Sequence, residues 1–544
     1  MTWRHRRWEG AKPPRHVGAG AFFLAALLLV AGCSAREPQA DLVIVNGPNP
    51  QTLDPALATG LEDLRIISAL FEGLTRPDPH TAGATPGLAE RWEISPDGCV
   101  YTFHLRDHLQ WSEGVPLTAD DVVYSWRRAL DPKTAAEYAG QLFYLKNGEA
   151  FATGKLKDFS QVGVRALDER TVRVELNQPT AFFLDLCAFQ TLAVVPRQVI
   201  DKDPDHWLRE KNLPTSGPYV IEEWRLNDKI RVRKNPFYWD ASNTKSATID
   251  FLPVSVPSTA LNLYETGVAD IIWDRDYLPN ELLDILEKRP DFHTFPYLGS
   301  YFLRVNTTKP PFNDPRVRQA LAMAIDKEHL TRKILRGGET PATHLVPDGT
   351  AHYERAEGLG YDPAAARKLL AAAGFPGGKG FPVAEYLIDT AGNLHAKIAS
   401  EIQSMWEEQL GVHIQLRQME KQAYLAAQNS LNYDISRSMW VGDYNDPNTF
   451  LDLFLSDSGN NRTGWKNAAY DKLMHEANRQ TDLKRRADLL RQAETILVHD
   501  ELPIIPIYFY VGLNYFNPDK VKGIYPNILD QHPFNVIYRV ARGK

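Results

Sequence analysis

Between Arg437 and Pro447 the chain sets an arginine, an indole (Trp440) and a carboxylate (Asp443) at fixed offsets on one short segment. Side chains alternate along an extended backbone. Arg437, Met439, Val441 and Asp443 then share one face and Trp440 takes the other, until the Asn445-Asp446-Pro447 turn ends the run. One backbone can thus meet both ends of a short zwitterion, with a guanidinium fork for a carboxylate and a carboxylate for an ammonium. The same residues also fit an ordinary strand with solvated rim charges and a buried Trp. Residue types alone leave both readings open.

Catalytic signatures are missing where they would be easiest to see: there is no H-E-x-x-H, no paired C-x-x-C, no G-x-S-x-G and no P-loop. The 15 His are scattered through the chain without ligand spacing. The sequence therefore gives no ground for a catalytic centre, a resident metal or a cofactor, and the expectation is a binding protein.

The elements that must position the segment are of mixed type. Leu42 to Val45 is an apolar run suited to a buried strand, closed by Gly47-Pro48-Asn49-Pro50. Val100 to Leu105 and Thr171 to Leu176 alternate with the period of strands. Thr118 followed by Asp121 resembles a helix N-terminal box, opening a helix through Val122 and Trp126 to Asp131-Pro132. Asp314-Pro315 opens another, with Val317, Ala320, Leu321, Ala324 and Ile325 on one stripe. Further helices are expected from Pro363 to Ala373, Ala396 to Leu410 and Asp471 to His499, and a strand from Ile504 to Tyr510. Gly374 to Gly380 reads as a plain loop. The class is α/β, and the length calls for two or three domains.

The N-terminus carries Arg4, Arg6, Arg7, Lys12 and Arg15, then an uncharged stretch from Val17 to Gly32 that closes on Val30-Ala31-Gly32-Cys33. This reads as a signal peptide, and the cysteine after small residues resembles a bacterial lipobox, in which Cys33 is acylated and becomes the first mature residue. Residues 1–32 hold five Lys or Arg and one Glu, a net +4, so the remainder carries −11 against −7 for the whole chain with His neutral. Such a charge argues against a nucleic-acid partner. Besides Cys33 there are only Cys99 and Cys187, whose spacing does not predict whether they pair.

Asp443-Tyr444-Asn445-Asp446-Pro447, preceded by Trp440 and Arg437, resembles the ligand segment of oligopeptide-binding proteins, the family 5 extracellular solute receptors of peptide ABC importers. The likeness runs from about Leu42 to Tyr538. It includes Gln51-Thr52-Leu53-Asp54-Pro55, Leu70-Phe71-Glu72-Gly73-Leu74, Ser216-Gly217-Pro218-Tyr219, and Asn306 through Pro311-Phe312-Asn313-Asp314 to Arg318-Gln319-Ala320-Leu321.

The resemblance implies a two-lobed periplasmic-binding-protein fold of type II with an additional domain and the ligand enclosed between lobes. Residues 1–32 would be the signal peptide and 33–40 a lipid-anchored tether. The first lobe would take 41–70, 196–297 and 511–544, the extra domain 71–195 and the second lobe 298–510. The partners implied are short peptides, the permease and ATPase subunits of an importer, and a membrane reached through the lipid anchor, with the protein a monomer in the cell envelope; the alternatives are the same fold with another cargo (a murein peptide, a metal chelate, haem or an opine) or an exported hydrolase.

By the same resemblance Asp443 pairs with the peptide α-amino group, and Arg437 and His395 read carboxylates of shorter and longer peptides. Val441, Gly442 and Asp443 on one side and Thr59, Gly60 and Leu61 on the other would pair with the peptide backbone as an added strand. Tyr138 would close over the ligand, with Tyr297 and Trp440 as walls. Departures from the family pattern are Leu335 where a basic group for dipeptides is expected, Lys421 for a pocket tryptophan, Arg304 for a pocket glutamate, and Gly299 with Val441 for a cysteine pair. These imply poor dipeptide binding and more basic side-chain pockets.

Overall fold

The computed structural model describes residues 38–540, apart from Lys211 and Ala391. The signal stretch and Cys33 lie outside the described residues. The apolar run Leu42–Val45 is a strand buried along its whole length, because it lies between two parallel neighbours, Thr248–Leu252 and Ile271–Trp273. A strand covered on both faces needs a continuous apolar run rather than an alternating one.

That strand belongs to a large mixed sheet in the order Ile414–Met419, Ala384–Asp389, Ile435–Val441, Phe292–Val305, Ile504–Phe516, Ile271–Trp273, Leu42–Val45, Thr248–Leu252, Lys229–Lys234 and Tyr219–Arg225. Two long antiparallel strands, Phe292–Val305 and Ile504–Phe516, serve both lobes. Phe292 to Pro296 pairs with Val511 to Tyr515, and Ser300 to Arg304 with Ile504 to Phe509. The ladder is broken between Pro296 and Ser300, where proline removes a donor. On one side of the break Ile504–Phe516 pairs with Ile271–Trp273, and on the other Phe292–Val305 pairs with Ile435–Val441. The two lobes are therefore connected by two shared strands whose ladder is interrupted between Pro296 and Ser300.

Each lobe has its own core. Ile44, Ile67, Trp207, Ile249 and Phe534 fill the first. In the second lobe, alternation along Phe292–Val305 feeds two clusters on opposite faces: Tyr301, Leu303 and Val305 join Leu321, Trp406 and Ile505, while Leu298 and Phe302 join Phe450, Tyr470 and Leu490. The additional domain is a four-stranded antiparallel sheet, Ala89–Ile94, Val100–Leu105, Thr171–Glu175 and Val164–Asp168, covered by the helix Ala119–Leu130. Tyr101, Phe103 and Leu105 point inward, as do Val172 and Val174. The expected N-terminal box forms in both directions between Thr118 and Asp121, and Trp126 Nε1 donates to Leu192 O at 3.0 Å.

Several motif residues are joints. Asp54 accepts a two-pronged contact from Arg128 (2.8 and 2.5 Å) and one from Trp207 Nε1 (3.2 Å), tying the first lobe to the extra domain. Buried Glu72 accepts from Tyr238 Oη and Trp239 Nε1, both at 2.6 Å. Gly217 is needed for close approach, since a Cβ there would lie 2.7 Å from the Leu70 carbonyl carbon.

Three expectations are corrected. The single helix from Asp471 to His499 is two, Ala468–Ala477 and Leu483–Thr495, because Asp482 accepts from Lys484 N and Arg485 N and caps a new start. The strand expected from Ile504 to Tyr510 continues to Phe516. Gly374 to Gly380 is not a plain loop: Gly378 packs so close that a Cβ would meet Gly411 O at 2.1 Å, and the backbone there has positive φ. Cys99 and Cys187 are both free thiols.

Arg318, almost wholly buried, donates Nε to Glu501 O (2.6 Å), Nη1 to Phe312 O (2.7 Å) and Nη2 to Glu501 Oε2 (3.1 Å). Arg318→Met is expected to destabilise the second lobe by about 2–4 kcal/mol, because two carbonyls and a carboxylate lose their donor. Arg318→Lys should recover less than half of that, since one ammonium cannot reproduce the fork. Urea denaturation of the three proteins checks the order.

Candidate functional site

The strand Ile435–Val441 lies inside the second-lobe sheet, with Leu303 opposite Arg437, Tyr301 opposite Met439 and Gly299 opposite Val441. Its alternation is the one read from sequence. Arg437 and Met439 share a face with Tyr301, and Trp440 packs on the other face against the cluster that contains Phe302, Phe450 and Phe454. Trp440 is half-buried there, and its indole nitrogen is 3.5 Å from Thr449 Oγ1.

The chain leaves the strand through Gly442, whose N–H donates to Leu298 O at 2.7 Å. A Cβ at Gly442 would lie 2.5 Å from Leu298 Cδ2 and 2.9 Å from Thr449 Cγ2, so any larger residue would have to displace those side chains. The turn beyond is pinned on three sides. Tyr444 stacks on Phe182 of the extra domain, with ring centroids 4.0 Å apart and planes at 8°. Asn445 Oδ1 accepts from Ala351 N at 2.9 Å. Asp446 takes both prongs of Arg486, at 2.6 and 2.8 Å, in a buried ion pair.

Asp443 is held between these anchors. Its N–H donates to Thr449 Oγ1 at 3.3 Å. Burial pushes its carboxyl up to about 6, and the one side chain that favours the charged form is the Gln141 amide of the extra domain. Tyr138 stands near enough that the Asp443 charge, after burial, raises its phenol, and its ring meets Phe189 edge-on at 5.1 Å. Asp443 is half-buried, and among the described residues its carboxylate has no cationic partner. A desolvated anion in that position is unfavourable unless a cation is brought to it.

Arg437 is differently placed. It already holds a counter-ion, Asp389 (Nη1 to Oδ2, 3.1 Å), with side-chain exposures of 8 % and 6 %. Its guanidinium lies 5.3 Å from the Tyr301 ring centroid, and Nη2 contacts Met439 Sδ at 3.2 Å. Its own carbonyl accepts from Gln428 Nε2 at 2.9 Å and from Tyr424 Oη. His395, in the first turns of the helix Gly392–Leu410, is half-buried with its ring 5.9 Å from that of Tyr301. Burial, helped by Arg437, pushes it down to about 4, so it is neutral at pH 7.

Other expected positions separate. Thr59 is exposed and Gly60 is extended (φ −78°, ψ 142°), but Leu61 opens the helix Leu61–Leu70, so the extended edge expected at 59–61 stops one residue early. Tyr297 is half-buried against Gly299, where a Cβ would lie 3.0 Å from its ring and 3.2 Å from that of Tyr510. Arg304 does not present its charge at a pocket surface. It is 2 % exposed on the face opposite Arg437, donating Nε to Ser438 Oγ at 3.0 Å and Nη1 to Asn461 O, close to Phe302 and Phe454. Burial pushes it down to about 10, which leaves it charged at neutral pH. Lys421 is exposed at the start of the helix Lys421–Asn429. Leu335 is buried, and Arg336 beside it pairs with Asp284 at 2.6 Å.

Asp389 and Gln141 escaped the reading of the sequence. Gln141 carries no local signal. Asp389 does have one, an acid at the end of an apolar strand, and such strand ends line ligand crevices in α/β sheets.

A family model of bacterial extracellular solute-binding proteins, family 5 middle, matches residues 83–462. The chain is 37% identical over 507 residues to the probable deoxycholate-binding periplasmic protein YgiS of Escherichia coli K12, covering 91% of this chain and 93% of that protein. It is 35% identical over 516 residues to the periplasmic oligopeptide-binding protein OppA of Salmonella typhimurium LT2, with 92% and 94% covered. The solved structure of the Escherichia coli murein tripeptide binding protein MppA superposes with a TM-score of 0.75 at 35% identity, covering 93% of this chain and 99% of that one. The architecture is that of a type II periplasmic binding protein with an extra domain, and the chain belongs to family 5 of the bacterial extracellular solute-binding proteins.

Proposed function

We propose that the protein captures short peptides, of three to five residues, by their free amino terminus at Asp443, encloses them between its lobes and delivers them to the permease and ATPase subunits of an ABC importer. The observation that carries this reading is the half-buried Asp443 carboxylate, which burial raises to about 6 and which has no cationic partner among the described residues. An α-ammonium supplies the missing charge. Backbone pairing through Val441, Gly442 and the extended Thr59-Gly60 fixes the direction of the guest without choosing its sequence, and Tyr138 and Tyr297 bound it. Attachment through an acylated Cys33 keeps the receptor beside its importer at the membrane. The reaction is binding and release, with no covalent step.

Relatives support the cargo class in their own names, one being an oligopeptide receptor and another a murein tripeptide receptor. A second reading, a steroid acid, is raised by the relative named for deoxycholate. A bile acid has no amine and leaves Asp443 uncompensated. Calorimetry decides between them. A mixture of free tri- and tetrapeptides is expected to bind, while the N-acetylated peptides and deoxycholate are not. Asp443→Ala is expected to lose about 3–5 kcal/mol of peptide affinity, more than a hundredfold. Equal affinity for acetylated and free peptides would remove the amine clamp.

The raised carboxyl also dictates a pH dependence. In the empty protein Asp443 protonates below about 6, and the ammonium needs the ionised form. Affinity should be highest near pH 7, fall by about tenfold between pH 7 and pH 5 with proton release on binding, and fall again above about pH 8 as the ligand's α-ammonium loses its proton. For the empty fold the sign is opposite. The folded state binds the extra proton between roughly pH 4 and 6, so this group's contribution to stability declines as pH rises through that window. Gln141→Leu removes the donor that lowers the shift and should move the onset of weak binding to higher pH. Isothermal titration in buffers of different ionisation enthalpy reads both the affinity and the proton count.

A further inference from the structure

The strands Ala384–Asp389 and Ile435–Val441 run parallel, with Tyr386 opposite Ile435 and Leu387 opposite Ser436. Asp389 closes the first of these strands and its carboxylate meets Arg437, the third residue of the second, with Nη1 to Oδ2 at 3.1 Å. The pair is nearly sealed from solvent, at 6 % and 8 % side-chain exposure, and it is incomplete. Asp389 Oδ1, Arg437 Nε and the neighbouring His395 Nδ1 are all shielded and have no hydrogen-bond partner among the described residues. Buried polar atoms are rarely left so, and three in one place mark a spot shaped for a polar guest group. The spot offers an acceptor at Asp389, a donor at Arg437 and a neutral ring nitrogen at His395, with no net charge.

We propose that Asp389 is a specificity-determining residue: by holding Arg437 as a neutral pair it makes this end of the cleft read its guest through hydrogen-bonding groups and not through a negative charge. The inference rests on the reading that Asp443 holds the peptide amine. A guanidinium that already has a carboxylate gains little from a second one, whose approach also brings two anions together. A terminal carboxamide, or the backbone amide of a longer peptide, provides the donor and acceptor that the unpartnered atoms lack. The acid at one end is unneutralised and selects charge, and the base at the other end is neutralised and tolerates either terminus.

The test compares a matched set of tri- and tetrapeptides as C-terminal acids and C-terminal amides, with N-acetylated controls, by calorimetry on the wild type, Asp389→Asn and Asp389→Ala. The wild type is expected to bind acid and amide within about threefold, and either variant to prefer the acid by at least tenfold, because Arg437 then needs the ligand's carboxylate. The acid-to-amide ratio cancels any general loss of stability. A wild-type preference of tenfold or more for the acid overturns the proposal even if neither variant folds, and so does an unchanged ratio in a folded variant. Sensitivity to N-acetylation in those same runs would leave the amine clamp standing. Failure of the wild type to bind any of the peptides would overturn the peptide reading and this inference with it.

Discussion

A half-buried carboxylate with no cationic partner among the described residues is the constraint on which this site depends. Asp443 works against the fold, and it stays where it is because its neighbours are over-determined: Gly442 packs closely on Leu298 and Thr449, Tyr444 stacks on Phe182, and Asp446 is gripped by Arg486. Each of these contacts lies one to three residues from Asp443, and none needs a ligand. The turn is therefore rigid before binding, and a guest meets a preorganised anion rather than one that must be desolvated on arrival. The desolvation is already included in the stability of the folded chain.

The residues that make the family recognisable do mostly different work. Asp54, Glu72, Ser216, Gly217 and Arg318 are buried at places where one segment must meet another far away in the chain. Ser216 Oγ donates to Val194 O and accepts from Glu72 N, so one hydroxyl closes three segments. An interlaced chain that passes twice between lobes must satisfy such crossings with polar groups, since each carries backbone donors and acceptors that would otherwise be stranded. Motif likeness therefore speaks first to architecture, while the proposed reading of the cargo rests on side chains such as Asp443 and Asp389.

That division explains what was legible in the sequence. Period-two strands such as Val100–Leu105, the Thr118–Asp121 box and the facing of Arg437 against Trp440 depend on neighbours a few residues away, and they read directly. The division of the Asp471 to His499 helix turned on Asp482, a cap whose signal was covered by strong helical periodicity on both sides. Asp389, Gln141 and the inward burial of Arg304 depend on partners 48, 302 and 134 positions distant, at Arg437, Asp443 and Ser438. Spacing along one chain carries no mark of such meetings. Leu61 is an intermediate case: the acids Glu62 and Asp63 suit a helix start, and a straight strand edge ran one residue too far.

The two ends of the segment also differ in what a guest gains from them. Two unit charges 4 Å apart near a protein surface interact by about 4 kcal/mol, and that contact is available to an ammonium at Asp443. At Arg437 the equivalent contact has been formed within the protein by Asp389 at 3.1 Å. On the proposed reading, the charge attraction that orients the guest is therefore concentrated at its amino end. Variation at the other end changes hydrogen bonds worth about 0.5–1.5 kcal/mol each. A receptor built this way fixes the polarity of the bound chain from one terminus and remains permissive at the other, which is the balance needed to take many sequences in a single orientation.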